Sequence, residues 1–280
     1  MPEGPEVECT RLALSPLTGK RIVSIKFTKN SQKYQKYRNK QQDVNGFKGQ
    51  KLIKIERKGK FLIWVFEREK VILNHLGMSG KWILLKSDKQ KLPSHAKVIL
   101  NMEDLPHAVF DDTRNFGQFR VFNNYNSVSE YRPIKKMGID GLAKKFPIEE
   151  FLEKLNKKNY AEREIGAVLL DQKLVAGMGN IYKSESLALA EIKPMRLVKE
   201  LSENEREFLG ICISKTLHKA LKSMGSTFQA FRTPDGQEGK AQNWHQVYGK
   251  EGSFCSKCSN KITKLIQNGR STFFCSKCQK

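Results

Sequence analysis

Cys255-Ser-Lys-Cys258-Ser-Asn-Lys-Ile-Thr-Lys-Leu-Ile-Gln-Asn-Gly-Arg270-Ser-Thr-Phe-Phe-Cys275-Ser-Lys-Cys278 sets two Cys-x-x-Cys turns 16 residues apart near the end of the chain. Each turn brings two thiolates to one side of a common ion, and an intervening hairpin returns the second pair to complete a tetrahedron. Four thiolates leave no open coordination position, so the expected ion is one structural zinc. Paired disulfides fit an intracellular chain poorly. Residues 261–266 and 271–274 read as the two strands, and Asn268-Gly269 between them is a strong hairpin signal that puts Arg270 at the tip. Cys9 and Cys212 stand alone in apolar or helical contexts and read as small buried hydrophobes.

Upstream of the finger the pattern is helical. Pro147 with Glu149 and Glu150 marks one helix start, running to about Leu155. Ser202-Glu-Asn-Glu205 is a capping box for a helix expected to run to about Ser223, with Gly225 closing it. Between them, residues 165–171 read as a helix, Lys173-Leu-Val-Ala-Gly177-Met-Gly179-Asn180 as a turn, and residues 181–190 as a second helix. On residues alone, the two glycines serve either as ordinary punctuation or as a close backbone approach to a phosphate, with Asn180 capping the second helix. Residues 227–245 are polar and without period, and read as a mobile loop.

The first half is β-rich. Stretches at 21–27, 51–56, 61–66, 71–73, 81–85, 97–100 and 118–122 are short and apolar or alternating, with turn signals between them, which implies a sandwich or barrel. Arg57-Lys58-Gly59-Lys60 forms a basic hairpin turn, and one helix at about residues 7–14 precedes the strands. The fold class is therefore α+β: an N-terminal β-sandwich with a flanking helix, a helical domain and a four-cysteine zinc ribbon. The expected boundaries are 1–132, 133–226, a loop at 227–245 and 246–280.

The chain opens Met1-Pro2-Glu3-Gly4-Pro5-Glu6. Removal of Met1 leaves Pro2 with a secondary amine, and an α-amino group with a reference pKa of roughly 8 is nucleophilic near neutral pH without heavy tuning. Attack on a sugar aldehyde carbon gives an iminium, an electron sink of the Schiff-base kind. Glu3 is placed to shuttle protons. The 280 residues carry 51 Lys and Arg against 29 Asp and Glu, a formal charge of +22, an excess suited to a polyanionic partner, with nucleic acid first. There is no run of about 18 apolar residues and no secretory pattern, which argues against a membrane span and for an intracellular, soluble protein.

Six separated motifs now stand in order: Pro2-Glu3, the hairpin ending in Lys60, Asn74-His-Leu-Gly-Met-Ser-Gly80, Asp112-Thr-Arg114-Asn-Phe116-Gly117, Leu170 to Tyr182, and the finger. Together they span nearly the whole chain, and they resemble the formamidopyrimidine-DNA glycosylase/endonuclease VIII family of bifunctional DNA glycosylase/AP lyases. The resemblance implies a helix–two-turn–helix module around Gly177–Asn180, and duplex DNA carrying oxidised bases or abasic sites as the partner of a monomer. The setting would be cytoplasmic in a bacterium, nuclear or organellar in a eukaryote. It assigns Pro2 the attack on C1′, Glu3 the proton transfers, Glu6 support of the terminal amine, and Lys60 contact with phosphate or lesion, with Lys58 as the neighbouring alternative. Arg270 would assist departure of the 5′ phosphate. Met78, Arg114 and Phe116 would fill the void left by an extruded base. Asn180 and Arg270 would clamp phosphates, and His95 and Arg163 would contact DNA.

Two features bear on substrate. Asn115 stands where the glycosylase branch usually has Arg, and Gly4 is more typical of the endonuclease VIII side. The Gly177–Asn180 turn and the 233–249 region look more like the formamidopyrimidine branch, favouring 8-oxoguanine and formamidopyrimidines, with oxidised pyrimidines as the alternative. Two rivals from another class are a non-catalytic zinc-ribbon nucleic-acid-binding protein and a basic ribosome-associated factor. Neither needs a terminal amine.

Overall fold

A computed structural model describes residues 1–227 and 231–280. The chain divides into two compact units, Met1–Lys135 with Met224–Lys240, and Lys136–Ser223 with Ala241–Lys280. Among the described residues no helix is long and apolar enough to cross a membrane.

The first unit begins with a helix at Gly4–Ala13. It starts three residues earlier than the apolar pattern suggests, because Pro5 sits in the first turn, where a missing N–H is no loss. Eight strands follow: β1 (Ile22–Phe27), β2 (Leu52–Lys58), β3 (Phe61–Phe66), β4 (Val71–His75), β5 (Lys81–Leu85), β6 (Ala96–Met102), β7 (His107–Asp111) and β8 (Gln118–Phe122). They form two four-stranded antiparallel sheets of order β1-β6-β7-β5 and β2-β3-β4-β8. One core joins them, with Leu52, Trp64 and Ile72 from one sheet meeting Trp82, Val98 and Phe110 from the other. The rings of Trp64 and Trp82 lie 4.8 Å apart across that core. The sandwich expected from the sequence is present.

Strand β7 is absent from the sequence reading. Its middle residues Ala108, Val109 and Phe110 are all buried, so both faces are covered and no alternation marks it. Residues 29–45, which carry no periodic signal of their own, form three short helical pieces at Lys29–Gln32, Gln35–Tyr37 and Gln41–Asn45.

The second unit packs helices Ile148–Leu155, Ile165–Val168, Asn180–Leu189 and Glu203–Lys222 around one apolar core that includes Phe151, Tyr182, Leu209 and Leu217. The capping box at Ser202 forms, with Ser202 Oγ accepting from Glu205 N at 3.2 Å and Glu205 Oε2 accepting from Ser202 N at 2.8 Å. The finger hairpin pairs Ile262–Gln267 with Arg270–Cys275. Asn268 and Gly269 both have positive φ, 49° and 71°, which is the backbone that a two-residue Asn-Gly hairpin turn requires.

Part of the expected 227–245 loop is ordered by its own bonds. Ser226 bridges Lys240, and Thr233 N donates to Gln237 O at 3.0 Å. Ala241–Trp244 is a 3-10 turn. Residues 228–230 of that expected loop lie outside the described residues.

Candidate active site and nucleic-acid interface

The chain terminus is fixed by the helix it opens. Glu6 Oε2 accepts from the Glu3 N–H at 2.8 Å, and Glu6 Oε1 accepts from Ser226 N at 2.7 Å. A Cβ on Gly225, which has φ of 75°, would come within 2.6 Å of Glu6 Oε1, so only glycine lets that segment close on the carboxylate. Glu6 thus holds the terminus through the Glu3 backbone and the Ser226 backbone. Pro2 and Glu3 are buried.

With Met1 in place, the chain's amine lies one residue ahead of the Pro2 nitrogen. Its pKa is lowered, chiefly by burial, with the positive charges of Lys60 and Arg114 adding to the effect and the carboxylates of Glu3 and Glu6 opposing it. Lys60 is only 6% exposed at the end of the β2–β3 hairpin turn. Lys58, the alternative, is exposed at the end of β2.

His75, the last residue of β4, belongs to this cluster and was not singled out in the sequence beyond its place in the Asn74–Gly80 motif. Burial, then the charges of Lys60 and Lys36, push its pKa down to about 4, so it is neutral at physiological pH. Its Nδ1 accepts from Gly77 N at 3.0 Å, which leaves the proton on Nε2 as a donor. The signal available in sequence was a histidine two residues before a glycine in a turn, too common to stand alone.

Met78 and Phe116 are large apolar side chains left 42% and 45% exposed, and Arg114 is exposed beside them. They occupy two interlocked loops: a Cβ on Gly77 would lie 2.5 Å from both Gly117 N and Phe116 C. The Arg114 guanidinium stands 5.3 Å from the Phe116 ring centre. Asn115 has φ of 59°, a left-handed conformation that asparagine tolerates better than most residues. The His95 side chain is exposed, and its carbonyl accepts from Asp112 N at 3.1 Å.

In the second unit Asn180 meets the finger strand that Arg270 opens. Asn180 Nδ2 donates to the carbonyl of Ser271, the residue after Arg270, at 2.7 Å, and Asn180 Oδ1 accepts from the buried Lys183 at 2.9 Å. Asn180 is the first helical residue; Gly179 occupies the cap position in extended backbone, so the expected asparagine cap is not formed. Its side chain reaches the finger strand instead of turning back to its own helix. Arg270 is exposed, and its hairpin is anchored by Gln267, whose Nε2 donates to Glu164 Oε2 at 2.7 Å and to Pro194 O at 3.0 Å. Arg163 is half-buried with its guanidinium 5.4 Å from the Tyr160 ring centre.

The sulfurs of Cys255, Cys258, Cys275 and Cys278 all lie within 4.8 Å of one another, with pairs at 3.9 and 3.4 Å. A tetrahedral thiolate shell with bonds of about 2.3 Å sets its sulfurs about 3.8 Å apart, so the four residues fit a zinc ion by number, donor type and spacing.

Residues 1–119 match the formamidopyrimidine-DNA glycosylase N-terminal domain, residues 137–232 that family's H2TH domain, and residues 252–280 the zinc finger found in FPG and IleRS. The chain is 38% identical over 280 residues to the formamidopyrimidine-DNA glycosylase of Wolbachia pipientis subsp. Culex pipiens, covering 100% of both. It is 35% identical to that of Streptococcus mutans, again over 100% of both. Among solved structures, Lactococcus lactis Fpg with DNA containing an abasic site superposes with a TM-score of 0.87 at 34% identity, covering 99% of each chain. The same protein with DNA containing an oxidised pyrimidine gives 0.87 at 34% over 100% of each. Fpg (MutM) of Thermus thermophilus gives 0.87 at 32%, over 99% of this chain and 98% of that one. The sheets, the helical module, the four-cysteine finger and full-length relatives agree: the chain belongs to the formamidopyrimidine-DNA glycosylase family, enzymes of base excision repair in the DNA glycosylase/AP lyase class.

Proposed function

We propose that this enzyme excises oxidised purines, 8-oxoguanine and formamidopyrimidines, from duplex DNA and then nicks the strand by β,δ-elimination, with Pro2 as the nucleophile. The observation that carries the reading is geometric: Pro2 and Glu3 are buried at the start of the first helix, fixed by the Glu3 N–H bond to Glu6, and Lys60 is buried at the neighbouring hairpin turn.

The Pro2 nitrogen donates its lone pair to C1′ of the extruded nucleotide as the C1′–base bond breaks, and the base leaves with those electrons and takes up a proton. Loss of the amine proton lets the C1′–O4′ bond open, O4′ taking a proton by way of Glu3, and leaves an iminium at C1′. The iminium acidifies C2′. Removal of that proton expels the 3′ phosphate, and a second elimination expels the 5′ phosphate, aided by Arg270. Water then hydrolyses the iminium and regenerates the amine. Lys60 steadies a phosphate or the lesion and assists proton transfer, and the neutral His75 beside it supplies an Nε2–H donor. Met78, Arg114 and Phe116 fill the gap in the stack. Asn180, Arg270 and His95 contact the backbone, which positions the duplex without reading its sequence. The thiolates of Cys255, Cys258, Cys275 and Cys278 hold one structural zinc, which cross-links the finger. The enzyme acts as a monomer in an intracellular setting.

Borohydride trapping on duplex containing 8-oxoguanine tests the mechanism. A covalent adduct should form, vanish in Pro2→Gly, and be missing from any preparation whose intact mass retains Met1; an adduct mapped to a lysine overturns it. Oxidised pyrimidines are the second reading, favoured by the Lactococcus lactis neighbour with DNA containing one. Parallel excision assays on 8-oxoguanine and thymine glycol duplexes decide between them.

A further inference from the structure

Beneath the three exposed side chains of the interlocked loops lies a buried carboxylate with no role in the chemistry above. Asp112 is 0% exposed. Its charge is met by three donors from three separate segments. Ser79 Oγ donates to Oδ1 at 2.7 Å, Tyr37 Oη donates to Oδ2 at 2.8 Å, and Gly117 N donates to Oδ2 at 2.7 Å.

Each donor adjoins an exposed side chain. Ser79 follows Met78, and Gly117 follows Phe116. Ser79 also controls Arg114: a hydroxyl has one proton, and giving it to Asp112 directs its lone pairs elsewhere, where one accepts Arg114 N at 2.9 Å. Tyr37 brings in the 35–37 turn, whose Lys36 amine stands 5.2 Å from the Phe116 ring centre, opposite in sequence to Arg114 on the same ring. Burial and the neighbouring Asp112 carboxylate raise the Tyr37 pKa, which keeps its hydroxyl protonated as a donor. The packing leaves no slack, since a Cβ on Gly117 would lie 2.7 Å from Tyr37 Oη and 2.9 Å from Asp112 Oδ2.

We propose that Asp112 is a positioning residue for reading the base opposite the lesion: through Ser79, Tyr37 and Gly117 it fixes the spacing of Met78, Arg114 and Phe116, so that Arg114 meets the partner base in one register. This rests on the reading of those three side chains as void-filling residues. A charged acceptor suits the task because all three groups donate. Asparagine at this place keeps the shape but turns one oxygen into an NH2, which sets donor against donor at Gly117 or reverses the Ser79 hydroxyl that orients Arg114.

The test is single-turnover excision from four duplexes that differ only in the base opposite 8-oxoguanine, taking the ratio of fastest to slowest. Global destabilisation lowers all four rates together and leaves that ratio unmoved, whereas a lost register narrows it. Asp112→Asn should narrow the ratio about tenfold, the scale of one good side-chain–base pairing. Ser79→Ala should narrow it in the same direction, and Tyr37→Phe by less, since Ser79 still accepts from Arg114 N. Should Asp112→Asn fail to fold, Ser79→Ala and Tyr37→Phe decide alone. Folded variants with the parental ratio overturn the proposal. Arg114→Ala separates the two levels: if it narrows the ratio while Ser79→Ala and Asp112→Asn do not, only the positioning role fails. If Arg114→Ala also leaves the ratio intact, the void-filling reading fails with it.

Discussion

The loops of Met78, Arg114 and Phe116 and the fingertip of Arg270 both present exposed side chains on short turns, yet they are stiffened by different means. In the loops the backbone itself is jammed: a Cβ on Gly77, Gly80 or Gly117 would meet other atoms at 2.2–2.7 Å, and a buried carboxylate ties three segments together. At the fingertip nothing stands within 4 Å of a Cβ on Gly269. There the turn relies on its local Asn-Gly conformation, and rigidity enters from below through Gln267 and the four thiolates. A solvated turn can be built by its own residues. An interlocked one exists only when its partners are in place.

The largest effect should come from the finger. Structural zinc in thiolate sites contributes roughly 10–16 kcal/mol to folding. Stripping the metal with a chelator, or Cys258→Ser, should therefore unfold the hairpin and remove Arg270 from its place beside Asn180. Binding to an abasic-site duplex, followed by fluorescence anisotropy, should fall further than for any single loop substitution. Unchanged binding after measured zinc loss contradicts this.

Acid should weaken the two units by the same device. His75 in the first and His245 in the second are each held neutral by burial, with pKa values near 4 against about 6.5 when unfolded. The unfolded chain takes up the protons first, so the stabilisation is complete above pH 6.5 and is lost as pH falls toward 4. Each histidine accounts for about 3 kcal/mol over that window. Urea unfolding at pH 7 and pH 4.5 should show the slope reduced in the first unit by His75→Gln and in the second by His245→Gln. A slope indifferent to both refutes the assignment.

Glycine substitutions sharpen the contrast between jammed loop and free tip. Gly117→Ala should cost about 3 kcal/mol by overpacking. Gly269→Ala, with φ of 71° and open space around it, should cost about 1 kcal/mol from backbone conformation alone. Equal urea midpoints for the two variants would remove the distinction.

The smallest effect belongs to the cap of helix Glu203–Lys222. Hydrogen bonding from Arg196 holds the Glu205 carboxyl down at about 2, so its contribution is present above about pH 4.5 and lost as pH falls toward 2. The pair is partly exposed, and Glu205→Gln should cost less than about 1 kcal/mol at pH 7. A loss several times larger in thermal unfolding would mean the pair is not solvent-screened.

What could be read from the chain alone follows the same line. The Cys-x-x-Cys spacing, the Asn268-Gly269 hairpin and the Ser202 capping box are local devices, and each forms as written. Strand β7 could not be read, because covering both its faces erased the alternation. The 29–45 segment carries no periodic apolar face, so its supporting role through Tyr37 had no local signal. Asn180 was misplaced as a cap for a related reason: its side chain is drawn off by Ser271, 91 residues away in sequence.

The chain's order of residues determined by itself the α+β class, the four-cysteine finger and a positive charge suited to DNA, since these depend on composition, spacing and near-neighbour geometry. Tertiary structure alone decided that His75 is neutral beside Lys60, that Asn180 lies against the Arg270 strand, and that Asp112 gathers Tyr37, Ser79 and Gly117. Each of these depends on burial, or on contacts between residues distant in sequence, and neither exists until the chain has packed.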